Sequence, residues 1–235
     1  MELVKKLDAT KTCLVSLDVK ALYPSIPTKE AIWKLEDWLT EQCVELNERK
    51  KAKIYAKSAA LCMNENYFIC RDQFYKTTSG TAMGNPLSPL TSEIFMKSIE
   101  EEIEKQGIML KFWARYVDDI LVIIPNEDIE KTLEAINNIH RNITFAMEKE
   151  GDLRIAFLDL SIIRNSNKLE FDIFRKKTHT QRTIPRMSKH TYGQKMAAYC
   201  SMIHRLLVTP LTEERFKKET SNIKDTAVEN GYSRE

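Results

Sequence analysis

Two adjacent carboxylates, Asp118 and Asp119, interrupt a stretch, residues 112–124, that is otherwise suited to β-structure. Phe112-Trp113-Ala114-Arg115-Tyr116-Val117 precedes them and Ile120-Leu121-Val122-Ile123-Ile124 follows. The pattern predicts an apolar strand, a tight polar corner and a second apolar strand. Side chains alternate along a strand, so the two Asp face opposite sides and only one can aim at a given site. A hairpin turn alone accounts for an Asp pair. A site needs a second carboxylate from another strand, and residues 13–19 offer one: Cys-Leu-Val-Ser-Leu-Asp-Val is a short apolar β-type run with Asp18 near its end. Carboxylates on neighbouring strands suit hard divalent cations such as Mg²⁺, and a pair of such ions serves in-line phosphoryl transfer.

Composition sets the limits. At 235 residues, 43% hydrophobic and 30% charged, the chain can bury the core of one sizeable domain, or of a domain with an appendage. No apolar run is long enough to span a membrane, and residues 1–10 are mixed-charge, unlike a signal peptide. The cysteines, at 13, 43, 62, 70 and 200, are scattered and lack zinc-ligand spacing. An intracellular, reducing location, nuclear or cytoplasmic, follows. Charge is uneven: residues 164–218 hold 13 Lys and Arg against 4 Asp and Glu, a surplus of nine, which leaves −7 for the rest of a chain whose net charge is +2. A basic C-terminal part suits a grip on a phosphate backbone, or an ordinary solvated face.

Along the chain, residues 14–19 are the first strand. Residues 23–27 form an irregular turn whose two prolines exclude helix. Thr28 caps a helix reaching about residue 46, on which Trp33 and Trp38 read as packing. A second helix covers 51–63. Residues 67–70 and 74–77 form a hairpin. Two glycines and two prolines within residues 80–89 mark a shaped loop, and a helix runs from Pro89 to about 105. After the hairpin come a helix over 127–140, strand-like runs at 143–147, 155–163 and 169–174, and a mostly helical tail over 193–218 broken at Pro210. Split β-α-β-β-α-β folds bring such strand ends side by side in an antiparallel sheet, which would gather Asp18, Asp118 and Asp119 into one metal site.

Three motifs now stand in order. Asp18 followed by Tyr23 resembles motif A of reverse transcriptases, Met83-Gly84-Asn85-Pro86-Leu87-Ser88-Pro89 resembles motif B, and Tyr116-Val117-Asp118-Asp119 resembles motif C. Their order and spacing over residues 14–124 are more specific than any one alone. Gly80-Thr81-Ala82-Met83-Gly84, Phe157-Leu158-Asp159 and Arg175-Lys176-Lys177-Thr178-His179-Thr180 resemble the Penelope-like retroelements within that superfamily.

The resemblance implies an α+β chain. Residues 1–163 would be a ferredoxin-like polymerase palm, with an antiparallel sheet backed by helices. Residues 164–235 would be a basic β-hairpin and a helical, thumb-like region. It implies an RNA-directed DNA polymerase that uses an RNA template, a DNA primer, deoxynucleoside triphosphates and two Mg²⁺ ions, with Mn²⁺ as a substitute. Asp18 and Asp118 would be the principal metal ligands, the Val19 carbonyl would assist, and Asp119 would support them from behind or ligate occasionally. Tyr23 would exclude a 2′-hydroxyl sterically. Met83, Gly84, Ser88 and Pro89 would form the nucleotide-side loop, glycine permitting close backbone approach. Lys149 is a candidate to protonate the leaving pyrophosphate, or an ordinary surface lysine. Tyr116, Arg175, Lys176, Lys177, His179 and Arg182 are candidate nucleic-acid contacts. Reverse transcriptases carry a fingers region before motif A; residues 1–10, with Lys5, Lys6 and Lys11 nearby, do not supply one, and no endonuclease follows residue 218. The expectation is a truncated form that binds nucleic acid and Mg²⁺ but extends a primer barely or not at all. The alternative is a catalytically silent nucleic-acid-binding remnant with the same fold.

Overall fold

A computed structural model describes residues 11–43, 45–165 and 168–233; Lys5 and Lys6 lie outside them. The chain divides into two compact units, Leu17–Glu148 and a second made of Met1–Ser16 with Lys149–Glu235. Strand β1 (Thr12–Val19) runs from the second into the first. No described helix is long and apolar enough to cross a membrane.

The sheet associated with the first unit has the order β4-β5-β1-β6, where β4 is Phe112–Tyr116, β5 is Asp119–Pro125 and β6 is Phe145–Lys149. Relabelled by chain order this is strand order 2-3-1-4, the split β-α-β-β-α-β topology expected from the sequence. Strand β1 is central and reads as an almost continuous apolar run, as a strand covered on both faces should; Asp18 is the exception, exposed beside the buried Leu17 and Val19. On β5, Ile120, Val122, Ile123 and Ile124 are buried.

Helices α2 (Thr28–Glu41), α3 (Leu46–Asn64) and α4 (Ser88–Lys105) follow β1, and α5 (Ile129–Asn137) follows β5. Leu35, Ala59 and Ile94 join α2, α3 and α4 in one apolar cluster, with Trp38 packed against it. Phe95 and Met96 of α4 are fully buried. Between α3 and α4 stands a separate hairpin, β2 (Tyr67–Cys70) with β3 (Gln73–Lys76).

Several expectations are corrected. Residues Leu22–Ser25 form a helical turn, α1, despite Pro24; proline is tolerated in a first turn, where its missing N–H has no partner to lose. Thr28 does not cap α2. Its hydroxyl donates to the Gly80 carbonyl at 2.7 Å, and Pro27 occupies the cap. Trp33 is 65% exposed and does not pack into the core. The helix expected over 127–140 is a 3-10 turn, Asn126–Asp128, followed by the shorter α5.

In the second unit the run 155–163 is not one strand. It is β7 (Arg154–Phe157) and β8 (Leu160–Asn165), turned at Leu158, whose φ is 53°. With β9 (Lys168–Ile173) they make a three-stranded antiparallel sheet. The tail holds two helices, α6 (Tyr192–Val208) and α7 (Glu213–Glu229), N-capped by Thr191 and Thr212. Tyr199, Leu206 and Ile223 pack between them. Arg164 and Glu150, whose side chains are 4% and 9% exposed, form a buried ion pair at 3.0 Å, and the Arg164 guanidinium also donates to the Thr12 hydroxyl.

Candidate active site

The end of β1 meets the β4–β5 turn directly. The Val19 N–H donates to the Asp118 carbonyl at 3.1 Å. Asp18, one residue earlier, projects to the face opposite the buried Leu17 and Val19. One backbone hydrogen bond thereby brings motif A and motif C together. The two-residue turn is Val117–Asp118, not the Asp pair: Tyr116 pairs with Asp119 across the ladder, so Asp119 is already the first residue of β5.

Both corners beside the site hold residues in the left-handed region, Ala21 at φ 48° and Val117 at φ 58°. For a β-branched residue this is a true outlier, and such conformations cost on the order of 1–3 kcal/mol each. The surrounding structure must therefore over-determine the turn, and Arg115 does so. Its side chain is only 7% exposed. It forks onto Glu93 at 2.8 and 2.9 Å, reaches Glu100 at 2.6 Å, and its Nη1 donates to the Val117 carbonyl at 3.4 Å. Glu100 also accepts the Trp113 indole N–H at 2.9 Å. Burial lowers the Arg115 pKa, but the hydrogen bonds to Glu93 and Glu100 outweigh it, so its net pKa is raised and it stays charged. Arg115 in turn holds the Glu93 carboxyl below its ordinary range. The sequence reading passed over this clamp. Its signals were a lone arginine in an apolar strand and two glutamates seven positions apart, which share one helix face.

A second junction joins motif A to the glycine loop. Thr81 donates to the Tyr23 carbonyl from both its backbone N–H, at 2.8 Å, and its hydroxyl, at 3.0 Å. Gly80, at φ 76°, lies so close that an added Cβ would sit 2.5 Å from the Pro24 carbonyl oxygen. Gly84 differs: at φ 94° it needs glycine conformationally, but an added Cβ would meet nothing within 4 Å. Ser88 is buried and donates its hydroxyl to the Ala82 carbonyl at 2.7 Å. Asn85, which sequence reasoning did not single out as a loop anchor, donates to the Cys62 carbonyl and to the Asn66 side chain. Met83 and Pro89 are exposed.

Of the other expected residues, Tyr116 is 63% exposed beside the turn. Lys149 is exposed at the end of β6. Lys176, Lys177, His179 and Arg182 are exposed. Arg175 is instead engaged by the buried Glu219 of α7. The five cysteines are all free thiols.

The Asp18 and Asp118 donors fit Mg²⁺, a hard cation that takes oxygen ligands and binds through one or two carboxylates plus substrate phosphates. Among the described residues no group of three or more His, Cys, Asp or Glu is placed to hold a metal. Asp18 and Asp118 supply two carboxylates of the kind such a cation takes, on strand ends that meet through the Val19–Asp118 hydrogen bond.

The chain is similar to telomerase from Candida albicans, solved with a TWJ fragment of telomeric RNA, at TM-score 0.60 and 13% identity, covering 93% of this chain and 39% of that one. It is similar to apo telomerase from Candida tropicalis at TM-score 0.57 and 14% identity, covering 94% and 41%. It is also similar to the BmCPV RNA-dependent RNA polymerase at elongation state, at TM-score 0.52 and 16% identity, covering 92% and 20%. At these identities the likeness establishes the fold, the mixed α/β polymerase palm with its antiparallel sheet, and the chain spans well under half of each of these proteins. No curated protein matches. The family described as "Reverse transcriptase (RNA-dependent DNA polymerase)" matches residues 2–150, more than half the chain. This chain belongs to the reverse transcriptase family.

Proposed function

We propose that the chain is the palm of a Penelope-like reverse transcriptase, residues 1–163, with a basic thumb-like part, residues 164–235, and that it adds deoxynucleotides to a primer 3′ end on an RNA template. The observation that carries this is the hydrogen bond from Val19 to Asp118, which joins the two carboxylate-bearing strand ends. The subfamily rests on the Gly80–Gly84, Phe157–Asp159 and Arg175–Thr180 wording.

Asp18 and Asp118 would hold divalent cations, with Asp119 in a supporting place. Bound there, two Mg²⁺ ions would activate the primer hydroxyl and offset the charge developing on the phosphates. Tyr23, whose carbonyl is fixed by Thr81, would stand under the incoming sugar, where its ring would exclude an added 2′-hydroxyl. Gly84 leaves open space for close approach of a nucleotide. The exposed Lys176, Lys177, His179 and Arg182 suit phosphate contact, and Lys149 would supply a proton to the leaving group.

The test is single-nucleotide incorporation on an RNA template over long incubation. Slow, Mg²⁺-dependent incorporation, abolished by Asp118→Asn, is expected. Nucleic-acid binding with no incorporation under any divalent cation would assign the chain to the silent palm instead.

A further inference from the structure

We propose that hairpin β2–β3 is a stacking platform for unpaired bases of the template strand, an inference that rests on the polymerase reading above. Phe68 and Tyr75 are cross-strand partners. Their rings lie 5.3 Å apart at an interplanar angle of 18°, stacked, yet they remain 53% and 44% exposed. A lone two-stranded hairpin is marginal in water, and this one shares a sheet with no other described strand. Its aromatic surface is therefore an open one that gains from a flat apolar ligand.

The hairpin also forms one wall of a cavity of about 710 Å³, through Tyr67 and Phe68; Met83, Gly84 and Pro86 line it as well. The glycine loop thus continues directly into the aromatic wall, and Asn85 ties that loop to Asn66 at the hairpin's base. Charge indicates the class of ligand. Helix α3, which leads into the hairpin, carries Lys50, Lys53 and Lys57 at i, i+3 and i+7, on one exposed face. At the hairpin tip Arg71 is balanced by Asp72, and on β3 Lys76 pairs with Glu65, so the net positive charge comes from the helix. Open aromatic faces on a hairpin that directly follows a lysine-bearing helix match a single strand: stacking accepts any base, and lysines draw the phosphate backbone.

The experiment compares two RNA–DNA duplexes bound by the 235-residue chain. One is blunt; the other carries a short template overhang with 2-aminopurine at its first unpaired position. The overhang should tighten binding about tenfold, the worth of roughly one stacked base, and the fluorophore should be quenched on binding. The double variant Phe68→Leu/Tyr75→Leu keeps apolar bulk but removes the stacking faces. It should retain blunt-duplex affinity and lose both the overhang preference and the quench, while Phe68→Tyr keeps both. If the leucine variant keeps the preference and the quench, these rings do not carry the stacking and the platform is overturned. Equal binding of both duplexes by the unaltered chain overturns the platform but leaves the polymerase reading standing. Failure to bind either duplex overturns both.

Discussion

Replacing Arg115 with alanine tests whether the strained β4–β5 turn is held from behind. The guanidinium is 7% exposed and its partners differ: the Glu100 side chain is 26% exposed, that of Glu93 63%. Breaking a fully buried pair by removing one partner costs about 3–5 kcal/mol, because the remaining charge is left uncompensated. Glu93 can return to water, and Glu100 keeps the Trp113 indole, so the expected loss is about 2–3 kcal/mol. Urea denaturation measures it. A double-mutant cycle should divide it unevenly, with a coupling of about 1.5–3 kcal/mol for Arg115 with Glu100 and below about 1 kcal/mol for Arg115 with the exposed Glu93. The pH dependence has a definite sign. The Glu93 pKa lies below its ordinary 4.5 in the folded chain. Its pairing therefore stabilises fully above the unfolded value and fades as pH falls from about 4.5 through the folded value. A loss below about 0.5 kcal/mol for Arg115→Ala, typical of a surface substitution, would refute the clamp.

Three further outcomes follow from other contacts. Gly80→Ala places a Cβ 2.5 Å from the Pro24 carbonyl at φ 76°, so thermal unfolding should show a loss of several kcal/mol, about 3 or more, and the Tyr23 turn should loosen. Arg164→Met removes the buried partner of Glu150, and a loss of about 3–5 kcal/mol in chemical denaturation is expected. Tyr23→Ala removes the ring proposed to gate the sugar; in an incorporation assay the ratio of ribonucleotide to deoxynucleotide use should rise by on the order of 10-fold or more, and an unchanged ratio would remove Tyr23 from that role.

Much of the site was legible in the sequence because it is built from local patterns. The apolar runs around Asp18 and Asp118 announced their strands, and the glycines and prolines of residues 80–89 announced the loop. Features set by tertiary contact were less visible. Thr28 looks like a helix cap, but the Gly80 carbonyl competes for its hydroxyl. The 155–163 run shows no glycine at its corner, since Leu158 takes the left-handed conformation itself. The Asp pair suggested a turn at 118–119, whereas Val117 occupies the strained corner, held by an arginine whose partners lie 15 and 22 positions away. Gly80 and Gly84 look equivalent in sequence, yet only the packing shows that one is pressed against Pro24 while the other faces open space.

The central claim is that Asp18 and Asp118 together make one cation site, and metal binding tests it without depending on turnover. Mn²⁺, standing in for Mg²⁺, would be titrated into the chain with a primer–template whose primer lacks a 3′-hydroxyl and a matched deoxynucleoside triphosphate, free Mn²⁺ being read by electron paramagnetic resonance. The account expects Asp18→Asn and Asp118→Asn each to weaken binding about tenfold or more, the worth of a lost charged ligand, with a smaller effect from Asp119→Asn. Binding unchanged by both Asp18→Asn and Asp118→Asn would contradict it.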